Sequence, residues 1–353
     1  MVALASTPTF HVRGRAAAVH NAGFHAMIGR RDLIRHAAAI VALTAAPLMA
    51  KGDERPLASL LLPLTGPSAD LARSLRHAAE LAMPPGMAPL SVFDTGPTPA
   101  GAGLAAAAAV RHGAPLLIGP LFSAQVAPVA AAARDTPVIA LSNDASDGTG
   151  AFILGITSRQ SVGAILGYAR ARGVRRIALA PGTTPWERLA SEAARSSARD
   201  LGLTLVDPPM ADAILVTGDA DALVATSGSS RAGTQLLATH QAMGLSGGGR
   251  AVVEGAWLAA PDPDGFAGFG RRFETAYGNP PGVLAGLAYD AIGIARTLRT
   301  SGHVSRDGLT GSAGFAGVCG AVRFDADGSA ARELAIVVVE GGAFHIVAHG
   351  HPA

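Results

Sequence analysis

Short apolar runs alternate with longer alanine-rich segments along the chain from residue 57 onward. An unbroken apolar run is typical of a strand buried on both faces, and apolar residues spaced three or four apart are typical of a helix packed on a sheet. This alternation predicts parallel strands joined by right-handed helical crossovers, which is an α/β doubly wound fold. The predicted strands are Leu57–Leu62, Leu90–Phe93, Leu116–Ile118, Val138–Leu141, Ile177–Ala180, Ile214–Val216 and Ala251–Val253. The predicted helices are Leu71–Met83, Gly101–His112, Ala124–Arg134, Gln160–Arg172, Trp186–Leu201, Thr234–Met243, Phe266–Tyr277 and Leu284–Thr300.

A break in this alternation divides the predicted strands into two sheets. The β-like run at residues 152–157 follows the strand Val138–Leu141 without an intervening helix, with about four strand–helix units before it and three after it. We therefore predict a first lobe of residues 56–156 plus 259–311 and a second lobe of residues 157–258 plus 312–349, with a cleft between them. Alternating residues and glycine turns from Gly320 to Val347 predict a short antiparallel C-terminal meander.

The first 50 residues have the pattern of an export signal. From Met27 the chain has basic residues, an apolar core at Ala37–Ala46 and small residues up to Ala50, which is the order of a secretory signal peptide. A signal counted from Met27 has an ordinary length, so Met27 is a candidate true start and residues 1–50 are an N-terminal extension with the signal. Arg30 and Arg31 also fit a twin-arginine signal, and this route and the general secretory route both stay open. We expect cleavage after Ala50 and a periplasmic location.

Composition excludes several classes of protein. The chain has 353 residues, about two domains, with 49% hydrophobic and 15% charged residues, but no apolar run long enough for a multi-span membrane protein. Cys319 is the single cysteine, so neither an internal disulfide nor a cysteine-based zinc site can form. The first 50 residues carry a surplus of four positive charges, which leaves −2 on the remainder of a chain whose net charge is +2. We therefore expect no nucleic-acid partner. We also expect no cofactor.

Candidate binding residues follow the predicted strands, because ligands of open α/β sheets bind beyond the carboxyl ends of the strands. Phe122 and Ser123 stand before a helix whose free N–H groups favour an anion, although Ser123 could also simply cap that helix. Ser142, Asn143 and Asp144 supply a hydroxyl, an amide and a carboxylate, a set that suits a zwitterion but is also common in turns.

Three further candidates lie in the predicted second lobe. Glu254 and Trp257 would put a carboxylate and a large ring at its rim, although they could equally be a strand end and a packing tryptophan. Trp186 either faces the cleft or covers the sheet. The chain has no Walker sequence, no dinucleotide fingerprint, no zinc-protease motif and no nucleophile elbow, so we predict that it is not an enzyme.

Several segments, taken together in their order, resemble the type I periplasmic solute-binding proteins, specifically the leucine/isoleucine/valine-binding branch. The resemblance covers residues 56–349 and is carried by residues 61–67, 119–123, 137–142, 288–291, 317–325 and 327–328. It implies two lobes joined by three crossing segments that close on a small ligand by hinge motion. It also implies that Ser123 and the groups at Ser142–Asp144 hold the carboxylate and ammonium of an amino acid, with an acidic residue near Glu254 closing from the second lobe.

The chain is also similar to the penicillin-binding-protein activators. The carriers of this second resemblance are Pro185-Trp186, the Ser/Gly-rich stretch at residues 218–234, Ser142–Asp144, Glu254–Trp257 and residues 314–317. The first hypothesis is a monomeric periplasmic binding protein that captures a small polar, amino-acid-like solute for the membrane permease of an ABC importer. The alternative is a module that contacts a peptidoglycan synthase. A hydrolase is the third, but no nucleophile and base can be paired from the sequence.

Overall fold

A five-stranded parallel sheet forms the first lobe. The computed structural model describes residues 56–87, 90–144 and 149–349, so the predicted export signal lies outside the described residues. The strands are in the order β2-β1-β3-β4-β5. Leu60, Leu61 and Leu62 of β1 are buried because helices cover both faces of the sheet. The strands are β1 (Ser59–Leu62), β2 (Ser91–Asp94), β3 (Leu117–Ile118), β4 (Val138–Ala140) and β5 (Phe152–Ile153), and their helices are α1 (Ala69–Leu81), α2 (Pro99–Arg111) and α3 (Ser123–Ala133).

A seven-stranded mixed sheet forms the second lobe, in the order β14-β13-β10-β9-β8-β6-β7. The five strands from β6 to β10 are parallel, and β13 and β14 are added antiparallel at the β10 edge. These strands are β6 (Arg176–Leu179), β7 (Thr204–Leu205), β8 (Ala213–Val216), β9 (Gln235–Ala238), β10 (Trp257–Ala260), β13 (Ala335–Glu340) and β14 (Ala343–His349). The helices are α4 (Ser158–Ala171), α5 (Pro185–Asp200), α6 (Ala220–Ser229) and α7 (Gly247–Val252), with 3₁₀ turns at Pro208–Met210 and His240–Gly244.

The chain returns to the first lobe after β10. Helix α8 (Pro263–Tyr277) and helix α9 (Val283–Ser301) pack on the core beneath the first sheet, and they are followed by α10 (Arg306–Thr310) and by the hairpin of β11 (Val322–Phe324) and β12 (Ala330–Arg332). The chain therefore passes between the two sheets three times, after β5, after β10 and after β12. The α/β class, the two lobes and the antiparallel C-terminal strands predicted from the sequence are confirmed.

The sequence prediction of the second lobe is wrong at one strand and one helix. The predicted helix Thr234–Met243 is the buried strand β9 followed by a 3₁₀ turn. The predicted strand Ala251–Val253 is the end of α7 and the residue after it, and the strand of this unit is β10 instead. Both errors have one cause, which is that a four-residue buried strand and a short helix carry the same uninterrupted apolar pattern.

The predicted C-terminal boundary between the lobes also needs correction. The sequence predicts that residues 312–349 belong to the second lobe, but Phe315, Val322 and Phe324 contribute to the core beneath the first sheet. The rings of Phe324 and Phe152 lie edge to face with centroids 5.4 Å apart. The hairpin therefore belongs with the first sheet, and the chain joins the second sheet only at β13. The other predicted lobe boundaries remain predictions. No helix of the described residues is both long enough and apolar enough to cross a membrane.

Candidate functional site

A cavity of about 840 Å³ lies between the two lobes, and it is lined by both lobes and by the segments that cross between them. It opens at the carboxyl ends of strands in both sheets, which is the expected place for a ligand in doubly wound folds. The first lobe contributes Leu71, Leu121, Phe122, Leu141 and Asn143, together with Phe266, Leu284 and Leu287 from α8 and α9. The second lobe contributes His240, Gln241 and Met243, and the crossing segments contribute Gly155, Ile156 and Pro261.

The cavity wall is apolar with three polar side chains. Asn143 comes from the first lobe, and His240 and Gln241 come from the second. Within the described residues, no Asp, Glu, Lys or Arg side chain lines the cavity. The wall can therefore enclose an apolar body and offer it neutral hydrogen-bonding groups.

His240 is held in one orientation by Ser161 of α4. The Oγ atom of Ser161 lies 3.1 Å from the backbone nitrogen of His240, whose N–H donates to it, and 3.2 Å from Nδ1 of the imidazole. The His240 ring also lies edge to face with Trp186, with centroids 5.2 Å apart. Burial, and to a smaller extent the positive charge of Arg332, lowers the pKa of His240 from 6.5 to about 4. The imidazole is therefore neutral at pH 7.

The local sequence explains how Ser161 reaches His240. Helix α4 begins with a capping box, in which the Thr157 hydroxyl accepts from the Gln160 N–H at 3.3 Å and the Gln160 side chain accepts from the Thr157 N–H at 2.9 Å. This cap fixes the first turn of α4, and Ser161 follows it directly and is fully buried. Strand β9 ends at Ala238, so His240 stands at the carboxyl end of a central strand.

Two of the predicted site residues of the first lobe line the cavity and three do not. Phe122 and Asn143 are part of the wall. Ser123 is the first residue of α3, and the position before it is taken by Phe122, so the serine makes no side-chain cap. Ser142 is buried and its hydroxyl accepts from the Asp144 N–H at 3.2 Å. The roles of Ser123, Ser142 and Asp144 in binding remain predictions.

The three predicted residues of the second lobe do not line the cavity. Trp186 lies behind His240, and its indole N–H donates to the Thr217 carbonyl at 3.0 Å. Trp257 begins β10 and packs edge to face on Tyr168 with centroids 5.0 Å apart, whereas the cavity is reached only after the other end of this strand. Glu254 accepts from the Gly341 N–H at 2.8 Å, close to the β13–β14 turn. The prediction that Glu254 and Trp257 stand at the cleft rim is wrong, because it depended on a strand at Ala251–Val253 that the structure replaces with a helix.

His240 and Gln241 were missed by the sequence analysis. The segment that carries them was interpreted as a helix, so they were not recognised as the residues that follow a strand. The signal was present in the buried run Leu236-Leu237-Ala238 followed by polar residues, a pattern that equally fits a strand end.

A cluster of buried charged groups lies where the segment after β5 meets the loop before β11. The guanidinium of Arg332, at the end of β12, donates to the carbonyls of Leu154 at 2.8 Å and Cys319 at 3.2 Å. The carboxylate of Asp290 in α9 accepts from the backbone N–H groups of Val318 at 2.6 Å and Cys319 at 3.0 Å. Burial raises the pKa of Asp290 and of the Cys319 thiol, and burial lowers the pKa of Arg332. The backbone N–H and carbonyl of Cys319 thus bind an anion and a cation, respectively.

Glycine is required at position 317 beside this cluster. A Cβ atom there would lie 2.6 Å from Cγ of Asp290, which is closer than real Cβ contacts. The loop before Cys319 can therefore approach the carboxylate closely only without a side chain. The described residues hold no group of three or more His, Cys, Asp or Glu side chains that could bind a metal ion.

Proteins of known structure share this fold over most of the chain. The sequence model of a family described as "Periplasmic binding protein" matches residues 59–240. A protein of Rhodospirillum rubrum whose name assigns it to branched-chain amino acid ABC transport is 20% identical, with a TM-score of 0.71, and the match covers 83% of this chain and 100% of that one. No curated protein matches the chain.

Two further solved structures have names that describe different functions. The solute-binding protein of an ABC transporter from Rhodopseudomonas palustris BisB5, in complex with 3,4-dihydroxybenzoic acid, is 15% identical with a TM-score of 0.68, covering 85% of this chain and 98% of that one. The C-domain of LpoA from Haemophilus influenzae, a regulator of PBP1A, is 16% identical with a TM-score of 0.64, covering 82% and 99%. At these identities the shared property is the fold.

Proposed function

The chain belongs to the periplasmic binding protein family, and we propose that it binds a small solute in the interlobe cavity and delivers it to the membrane permease of an ABC importer. The observation that carries this proposal is the cavity itself, whose wall is built from both lobes and from the crossing segments. A solute that touches both lobes stabilises their closed arrangement, and a permease can recognise that arrangement. Binding alone performs this function, without a catalytic step.

The cavity wall favours a solute with an aromatic or branched aliphatic body. Phe122, Leu284, Leu287 and Met243 offer apolar contacts, and burial of apolar surface contributes about 25 cal/mol per Å². The relatives described above include a protein named for branched-chain amino acids and one in complex with an aromatic acid. The sequence-based expectation of a small polar, amino-acid-like solute remains a prediction. A zwitterion would need charged partners, and the described residues place none in the cavity wall.

We propose a periplasmic location for the mature chain, in keeping with its family. Export by a cleaved signal peptide and a monomeric state belong to the same proposal. The net charge of −2 on the chain after residue 50 also fits a protein that does not bind nucleic acid.

A substitution that fills the cavity tests the proposed function. Leu284 is a partly buried wall residue near the start of α9, and tryptophan there occupies part of the space that a solute needs. Melting temperatures of the full chain are measured with leucine, isoleucine, benzoate, 3,4-dihydroxybenzoate and 3-phenylpropanoate. We expect at least one of them to raise the melting temperature of the unmodified chain but not of Leu284→Trp, since ligand at 100 times Kd adds about 2.7 kcal/mol of stability.

Leu104→Trp is the matched control, because Leu104 is 73% exposed on α2, away from the cavity wall. This variant is expected to respond to the solute like the unmodified chain. An equal response of Leu284→Trp would contradict binding in the cavity. A failure of all five solutes, together with retention of a purified peptidoglycan synthase by the chain, would favour the second candidate, a regulator of cell-wall synthesis that shares the fold of the LpoA C-domain.

A further inference from the structure

We propose that Gln160 is a positioning residue for the interlobe cavity, because its side chain joins the start of α4 in the second lobe to the β11–β12 hairpin of the first lobe. The inference rests on the proposed function, since the cavity is the proposed binding site. The side-chain amide of Gln160 donates from Nε2 to the carbonyl of Ala330 in β12, 170 positions further along the chain. This hydrogen bond therefore constrains how the two lobes are arranged around the cavity.

The amide of Gln160 is engaged at both ends. Its Oε1 atom accepts from the backbone N–H of Thr157 at 2.9 Å, as one half of the capping box of α4. Its Nε2 atom donates to the Ala330 carbonyl. An amide oxygen can only accept and an amide nitrogen can only donate, so the two partners determine which way the side chain points. The side chain is thus a fixed link between a helix start and the hairpin.

The hairpin follows the segment that leaves β5. The N–H of Ile153 donates to the carbonyl of Gly328, in the hairpin turn, at 2.9 Å. The guanidinium of Arg332 donates to the carbonyl of Leu154 at 2.8 Å. The Gln160 contact extends this row of hydrogen bonds to the first turn of α4. The hairpin therefore holds the segment after β5 at both of its ends.

The segment held in this way is part of the cavity wall. Gly155 and Ile156 line the cavity directly before α4. Ser161, the residue after Gln160, contacts both the backbone nitrogen and Nδ1 of the wall residue His240. Gln160 therefore stands between two parts of the wall. A movement of the first turn of α4 away from the hairpin would displace both parts relative to the wall of the first lobe.

Gln160→Glu removes this link and keeps the helix cap. A glutamate at this position still accepts from the Thr157 N–H, because capping boxes use Glu and Gln alike. Its carboxylate at neutral pH has no hydrogen to donate to the Ala330 carbonyl. We expect the population of the arrangement found in the unmodified chain, relative to all other arrangements, to fall by about fivefold, which is the size of one neutral hydrogen bond.

Distances between spin labels on the two lobes measure this population without any solute. Leu104→Cys in α2 and Val252→Cys in α7 supply one labelling site in each lobe, because these side chains are 73% and 53% exposed. The native Cys319 is fully buried and stays unlabelled. Pulsed electron paramagnetic resonance on the full chain then gives the distribution of distances between the lobes. Gln160→Glu should reduce the main distance of the unmodified chain and increase other distances.

Two control variants separate the link from the stability of the cap. Thr157→Ala removes the hydroxyl that accepts from the Gln160 N–H and should lower the melting temperature, but it keeps the Gln160 side chain and should leave the distance distribution unchanged. Glu187→Gln makes the reverse exchange in the capping box of α5, where the side chain accepts from Thr183 and Thr184 of the same lobe. This exchange should also leave the distribution unchanged.

The inference is overturned if Gln160→Glu has the distance distribution of the unmodified chain, or if either control changes the distribution as much as Gln160→Glu does. Calorimetric titration of 3-phenylpropanoate tests the proposed function separately. If this acid binds and the distribution is unchanged in Gln160→Glu, the proposed function stands without the inference. If the distribution changes as expected and the acid does not bind, the inference stands and the proposed function is contradicted for this solute.

Discussion

The interlobe cavity and the buried charged cluster beside it use opposite chemistry. The cavity wall is apolar and its polar groups, Asn143, His240 and Gln241, are neutral. The cluster contains the buried groups Asp290 and Arg332, which bind backbone atoms of the segment after β5 and of the loop before β11 rather than each other's side chains. This difference indicates that buried charge holds the segment after β5 and the loop before β11 in place, whereas the cavity offers apolar contact and neutral hydrogen-bonding groups to the proposed solute.

The largest expected effect comes from removing the cation of the cluster. Arg332→Ala leaves the carbonyls of Leu154 and Cys319 without their donor and Asp290 without a nearby positive charge. We expect the free energy of unfolding to fall by about 3–5 kcal/mol, as measured by urea denaturation. Arg323→Ala is the matched control, since this arginine is half exposed and its guanidinium makes only a long ion pair, 3.9 Å, with the Asp325 carboxylate. This substitution should change stability by less than about 1 kcal/mol. Equal effects of the two substitutions would contradict the distinction between the cluster and the surface.

An intermediate effect on stability is expected from lowering the pH, because the cavity wall contains the titratable group His240. Its pKa is about 4 in the folded chain and 6.5 in the reference state, so the unfolded chain takes up the proton first as the pH falls. The contribution of neutral His240 to the free energy of unfolding should therefore be fully present above pH 6.5. The free energy of unfolding should decrease between pH 6.5 and 4, by on the order of 3 kcal/mol.

The variant His240→Gln isolates this contribution, because glutamine does not titrate. Its stability should lose less than that of the unmodified chain between pH 6.5 and 4. Asp212, whose pKa is lowered to about 2 by its hydrogen bonds and ion pair with Arg176, loses its contribution at lower pH. Parallel stability curves for the two proteins across this range would contradict a buried neutral imidazole.

The smallest effect is expected at Glu254. Its carboxylate contacts the Gly341 N–H near an exposed turn, and Glu254 does not line the cavity. Glu254→Ala should lower the free energy of unfolding by at most about 1 kcal/mol and should leave solute affinity unchanged in calorimetric titration. A loss of affinity of tenfold or more would place Glu254 in the binding site and would contradict the view that neutral groups alone bind the proposed solute.

The fold could be predicted from the sequence further than the site could. Unbroken runs such as Leu57–Leu62 and Ile177–Ala180 identify buried parallel strands because both faces of such strands are covered. The same rule failed at β9 and β10, where short apolar runs fit a strand and a helix equally well. Because of that ambiguity, the sequence places Glu254 and Trp257 at the cleft end of a strand and does not identify His240 as a residue that follows one.

The environment of His240 illustrates what a sequence pattern does not contain. Ser161, Trp186 and His240 belong to three separate segments that come together only through packing on the second sheet. Likewise, Arg332 and Asp290 are 42 positions apart, and their connection through the backbone N–H and carbonyl of Cys319 depends on the path of the loop before β11. Phe122 and Asn143, in contrast, lie in the loops that follow β3 and β4, and the sequence predicts them for that reason.

A crystal structure of the full chain grown with 3-phenylpropanoate tests the central claim most directly. The account predicts density for the ring inside the interlobe cavity, between Phe122 and Leu284. Density for the acid outside the interlobe cavity, or a closed cavity filled by the protein's own side chains, would contradict it.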